Sequence, residues 1–103
     1  MSANQVRGEA AICVGGAELV LRPSFQALVA AEGELGSLFA LVERAAEGRL
    51  LLSEVAALFW HCVAERPEPV TRERIGEAVA EMGLARTAPV LKGLLRQILQ
   101  GAV

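Results

Sequence analysis

The 103-residue sequence contains no aspartate and no tyrosine, and it has one histidine, His61, and one tryptophan, Trp60. Catalysis by a base or an activated nucleophile needs two such groups within hydrogen-bond reach of each other. Here the base could only be His61, and Cys62 follows it directly, so on a helix their side chains point in different directions. The glutamates recur at i, i+4 among arginines, as in Glu43 and Glu47, Glu73 and Glu77, or Glu77 and Glu81, which is the pattern of a solvated helix face. No enzymatic activity, catalytic residue or cofactor is therefore expected. Two cysteines, Cys13 and Cys62, are too few and too unlike any ligand spacing for zinc, and we read both as small buried hydrophobes of a reducing, cytoplasmic compartment. No apolar run approaches the ~20 residues of a membrane span, so no membrane association is expected. A net charge of −2 gives no general attraction to nucleic acid, whose binding needs a clustered basic face.

Aromatic residues are also scarce. Phe25, Phe39, Phe59 and Trp60 carry all of that content, so the core has to be built from Leu, Val and Ala. Apolar residues make up 53% of the chain and charged ones 21%, which rules out a disordered tail. A chain of this length suits one domain, 1–103, with a loose, polar N-terminus at 1–6, a hairpin over 7–22 and a helical part over 24–103.

The segment from Gly8 to Gly36 organises the rest. Gly15 and Gly16 supply the positive torsions of a two-residue hairpin turn, so the flanking runs should pair. Val14 then faces Ala17, Ile12 faces Leu19 and Ala10 faces Leu21, which gives one wholly apolar face. The other face carries Cys13 with Glu18, Ala11 with Val20, and Glu9 with Arg22. Pro23 ends the pairing, and Ser24 caps a helix whose inward face is expected to be Phe25, Leu28 and Val29. A lone two-stranded ribbon is marginal in water, so its apolar face needs cover, for which the following helix is the nearest candidate. Its unpaired edges could equally serve as templates for another chain.

Further on, Ser37 opens a helix to about Glu47, with Leu38, Leu41, Val42 and Ala45 at core spacing, and Gly48 closes it. Ser53 and Glu54 read as the start of a third helix, in which Val55, Leu58, Phe59, Cys62 and Val63 form the clearest amphipathic stripe of the chain. Trp60 and His61 lie off that stripe. Arg66-Pro67-Glu68-Pro69 is a loop, and Thr71 caps a fourth helix with Ile75, Ala78, Val79 and Met82 inward, ended by Gly83. Thr87, with Pro89 in the first turn, is expected to start the last helix, where Leu91, Leu94, Leu95 and Ile98 line one side and Val90 and Leu99 widen it. The fold class is thus α+β, an N-terminal two-stranded β-hairpin followed by four to five α-helices packed as a small bundle.

The ordered set Gly8, Glu9, Gly15, Gly16, Leu21, Arg22, Ser24, Phe25, Ala27, Leu28, Glu32 and Gly36 resembles the small tail-assembly protein of alphaproteobacterial gene transfer agents. Those particles are phage-like, and the family is described both as tail-tube-associated and as a tail-assembly chaperone. The resemblance implies a non-enzymatic role in tail assembly, with tape-measure or tube subunits as partners, or else a structural place in the tail tube. It transfers no site chemistry. Its location would be the cytoplasm or the particle itself.

The residues free to meet a partner are Val20 on the second face of the hairpin, Trp60 off the third helix's stripe, and Val90 and Leu99 at the margins of the last helix. A tryptophan so placed more often finishes the core than marks an interface. A homo-oligomer through the hairpin edge is a further expectation.

Overall fold

Two consecutive glycines with φ of 57° and 83° make the turn at Gly15–Gly16, a conformation that a Cβ would oppose at both positions. In the computed structural model, which describes residues 10–101, this turn joins β1 (Ala10–Val14) to β2 (Ala17–Leu21) as an antiparallel pair. The register matches expectation: Ala10 opposes Leu21, Ala11 Val20, Ile12 Leu19, Cys13 Glu18 and Val14 Ala17. Ile12, Val14, Leu19 and Leu21 are all buried, because alternation sends them to the same face. Cys13, on the opposite face, is exposed, which corrects the expectation that both cysteines are buried. The Glu9–Arg22 pairing and the loose segment 1–6 lie outside the described residues.

Five helices follow: α1 (Phe25–Leu35), α2 (Leu38–Ala46), α3 (Leu52–Cys62), α4 (Arg72–Met82) and α5 (Leu84–Gln100). Ser24, Ser37 and Thr71 each accept a hydrogen bond from the backbone N–H three residues on, at 3.2–3.3 Å, so all three cap their helices as the sequence indicates. Central to the fold is α3, from which Val55, Leu58, Phe59 and Cys62 are buried; Val63, just past its end, completes the stripe.

Three expectations about the helices are overturned. In α1, Phe25 and Val29 are 82% and 51% exposed, and the buried positions are Ala27 and Ala31, with Leu28 only half-buried. Ala27 and Ala31 stand one turn apart on the buried face of α1, which packs principally on α3, and small side chains there let the helix lie close to the core. In α3, Ser53 is not the cap. The helix begins at Leu52 with Leu51 as its cap, two residues earlier, and the Glu54 carboxylate reaches back to accept the Leu51 N–H at 2.9 Å. In α5, the helix begins at Leu84 rather than Thr87. Buried Thr87 donates its hydroxyl to the Gly83 carbonyl at 2.9 Å, and Pro89 sits inside the helix, where its missing N–H leaves the Ala85 carbonyl without its usual donor.

The hairpin is covered differently from expected as well. β1 packs on α4 and α5, while α1 packs principally on α3. The outer edge of β2 is not free either, because the chain leaving α3 pairs with it. Arg22 N–H donates to the Cys62 carbonyl at 2.7 Å, Ala64 N–H to the Val20 carbonyl at 2.9 Å, and Leu21 bridges Val63. Of the two ribbon edges, only that of β1 has no backbone partner among the described residues. One cluster of buried side chains joins hairpin and helices, with Leu21, Leu41, Leu58, Phe59, Ile75, Val79 and Leu94 fully enclosed. No single described helix is long and apolar enough to cross a membrane; α1 and α2 together would be bent by 77°.

Gly83 ends α4 and directly precedes α5 at φ 81° and ψ 155°, a region that only glycine enters at low cost. Nothing lies within 4 Å of a Cβ added there, so Gly83→Ala is expected to cost about 1–3 kcal/mol through backbone strain alone. Gly93, mid-way along α5, has the same open surroundings but helical torsions, and Gly93→Ala should stabilise by about 0.5–1 kcal/mol. Urea midpoints of the two variants check the contrast, and shifts of the same sign would refute it.

Candidate functional site

Two surfaces concentrate the chemistry, a polar junction of α1, α3 and α4 and an apolar groove between α2 and α5. In the junction, Glu34 near the end of α1 receives two guanidinium bonds from Arg72, both 2.7 Å, and a contact of 2.8 Å from His61 Nε2. Residues 38 positions apart in sequence are thereby joined. The Arg72 bonds, and then the His61 bond, hold the Glu34 carboxyl at about 2, against an ordinary value of 4.5. Trp60 lies beside this cluster. Arg66 stacks over the indole at 3.5 Å from the ring centre and donates to the Trp60 carbonyl at 2.9 Å, and Arg72 stands 5.8 Å from the ring. Half-buried against the core, Trp60 has its outer side covered by the chain's own arginines, an arrangement worth about 0.5–1 kcal/mol at an exposed site.

A second ion pair joins α2 to the start of α3. Arg44 donates to Glu54 at 2.8 Å, and this bond, followed by that from the Leu51 N–H, lowers the Glu54 carboxyl below its usual range. Burial pushes the Cys62 thiol up to about 12, so at neutral pH it is a protonated core group and not a thiolate nucleophile. Among the described residues, no group of three or more His, Cys or Glu side chains is placed to hold a metal ion.

The linkage at Glu34 has a definite sign. Its carboxyl titrates lower in the folded chain than in the unfolded one, so its contribution to stability is present above about pH 4.5 and is lost as the pH falls towards about 2. Glu34→Gln is accordingly expected to be less stable than the unmodified chain at neutral pH, with the gap closing through that window. Thermal melts of both proteins from about pH 7 down to about pH 2 check this, and a gap that stays constant across the series would show that the charge contributes nothing.

The groove between α2 and α5 encloses about 470 Å³ and is walled by Val42, Ala45 and Ala46 from α2 and Leu91, Leu95 and Leu99 from α5. Lys92 and Arg96 stand along its α5 rim. A smaller hollow of about 220 Å³ lies where α3 begins and α4 turns into α5, bounded by Leu50, Leu52, Val55, Val79 and Leu84. Leu99, 60% exposed, lines the first of these and Leu84, 70% exposed, the second, while Phe39 on α2 is 79% exposed.

The four residues singled out from the sequence as partner contacts lie on three elements. Leu99 lines the α2/α5 groove. Val90, on the same helix, is partly buried against the core, and half-buried Val20 offers its carbonyl to Ala64. Trp60 is held under Arg66. Sequence reasoning missed exposed Phe25 and Phe39 and the α2 wall of the groove. The breadth of the apolar arc on α5 pointed to one wall, but which helix faces it depends on tertiary packing.

A family model described as Phage tail tube protein, GTA-gp10, matches residues 7–101. Comparison with curated proteins and with solved structures found no match.

Proposed function

Because the chain belongs to the family Phage tail tube protein, GTA-gp10, we propose that it serves as a non-enzymatic tail-assembly chaperone of a gene transfer agent or related phage-like particle. Its partners on this reading are tape-measure or tube subunits, held in the cytoplasm of the producing cell until they assemble. The observation that carries the reading is the exposed apolar surface on the helices, where Phe25, Phe39, Leu84 and Leu99 are each at least 60% exposed. Exposed apolar side chains of this size, of which Leu99 and Leu84 also line hollows, are what a binding protein presents to a partner. The polar clusters are in keeping with it, since Glu34, Arg72 and His61 satisfy one another and fasten α1, α3 and α4 together, and Trp60 is stacked under Arg66.

The second reading, favoured by the family's own description, makes the protein a structural component of the tail tube. A tube wall built by continuing a sheet from copy to copy needs free strand edges, and among the described residues the sheet has two strands, with the β2 edge taken by Val63. Mass spectrometry of purified particles beside lysate of the producing cells separates the two. Under the chaperone reading the protein is abundant in lysate, bound to a tail protein and depleted from particles. A fixed stoichiometry in finished particles overturns it in favour of the tube.

A further inference from the structure

One described residue other than glycine has a positive φ, Glu65 at 50°, in the left-handed region that a Cβ opposes. It directly follows Ala64, whose N–H donates to the Val20 carbonyl at 2.9 Å and so anchors the chain on β2. The chain is anchored again from Thr71, the cap of α4. Between these points residues 65–69, Glu-Arg-Pro-Glu-Pro, are all exposed. The two prolines have no N–H to donate, and among the described residues the stretch makes a single backbone hydrogen bond, accepted by the Pro67 carbonyl from Val70 at 3.0 Å. Its polar hold on the rest of the molecule is Arg66, which stacks over the Trp60 ring at 3.5 Å and donates to the Trp60 carbonyl at 2.9 Å.

We propose that residues 65–69 form a strap, latched by Arg66, that opens and closes over Trp60. The left-handed torsion of Glu65 costs free energy, and the exposed stack of Arg66 on the indole returns an amount of the same order. The bond from Arg66 to the Trp60 carbonyl is exposed and exchanges with bonds to water, so it adds little to the balance. The closed strap is therefore held by a small margin. Opening lets Glu65 return to a negative φ and breaks neither anchor. Local openings are drawn from such stretches, exposed and with few internal bonds. In the closed strap the outer face of the indole lies under a guanidinium. In the open one it meets solvent, while Arg72 stays 5.8 Å from the ring because Glu34 holds it through two bonds of 2.7 Å. The strap thus regulates the exposure of the chain's only tryptophan. Opening is a property of the free chain, so it stands or falls apart from the tail-assembly reading.

The test is acrylamide quenching of Trp60 fluorescence in the full chain, with circular dichroism melts to confirm that each variant is folded. Arg66→Ala removes the latch and should raise the quenching constant at least about twofold, while the melting temperature stays within about 8 °C of the unmodified chain because only an exposed contact is lost. Glu65→Asn and Glu65→Val remove the same carboxylate and differ in the torsion they accept, since asparagine enters the left-handed region readily and a β-branched residue resists it. Glu65→Asn should therefore be quenched less than the unmodified chain, and Glu65→Val more, towards the value of Arg66→Ala. Equal quenching of the two Glu65 variants, or quenching that Arg66→Ala leaves unchanged, would overturn the proposal by showing that the strap does not move. A rise in Arg66→Ala that comes with a larger fall in melting temperature would overturn it too, by making residues 65–69 part of the cooperative fold.

Discussion

Phe59→Ala is expected to lower the unfolding free energy by about 3–5 kcal/mol, the range for deleting a fully enclosed aromatic ring. Phe59 is 0% exposed in the middle of α3, the helix on which both α1 and α4 pack. Aromatic residues are so few here that no neighbouring ring can shift to fill the space, and the stiff aliphatic cluster of Leu21, Leu58, Ile75 and Val79 would collapse only in part. Against the 5–15 kcal/mol total of an ordinary domain, the loss is a large share, and it should lower the melting temperature by at least about 12 °C. The adjacent residue offers a control. Trp60 is half-buried and its outer side is held by Arg66, so Trp60→Phe keeps most of the packing and should cost well under half as much. A chemical denaturation curve for Phe59→Ala within about 1 kcal/mol of the unmodified chain would show that α3 is not the centre of the core.

What could be seen in the sequence depended on the kind of signal each element gave. The hairpin was readable to the residue because Gly15–Gly16 fixes the turn and strict alternation fixes the faces, so Ile12 opposite Leu19 follows from local chemistry. The α3 stripe and the α4 cap at Thr71 were equally local. The phase of α1 was misread because its large side chains, Phe25 and Val29, were taken as the buried ones, whereas a tight helix contact selects for small ones, Ala27 and Ala31. At α5 two local signals, Thr87 and Pro89, suggested a start that the abrupt turn at Gly83 overrode. The surfaces available to a partner were the least legible. Leu99 could be placed at the edge of an apolar arc, but the opposing wall on α2, the pairing of Glu34 with Arg72 and the covering of the β2 edge by Val63 all join segments distant in sequence. Periodicity carries no information about such contacts.

The covered β2 edge leads to the second large effect. Leu21→Ala is expected to cost about 2–5 kcal/mol and to destabilise the whole chain, not the hairpin alone. Leu21 is 0% exposed at the last position of β2, where it opposes Ala10 on one side and bridges Val63 on the other. A hairpin tethered only through its loop would melt separately when such a residue is truncated, because two strands are marginal by themselves. Here the bonds from Arg22 to Cys62 and from Ala64 to Val20 bind the ribbon to the end of α3, and the apolar face of β1 rests on α4 and α5. The side chain therefore belongs to the same cooperative unit as Phe59. Fluorescence of Trp60, which reports on α3, and far-ultraviolet circular dichroism should give coincident transitions for Leu21→Ala, with the midpoint lowered and the denaturant slope unchanged. Transitions that separate, or a slope that falls, would instead mark the hairpin as an independently opening flap, and the α3 extension would then be too weak a clasp to hold it.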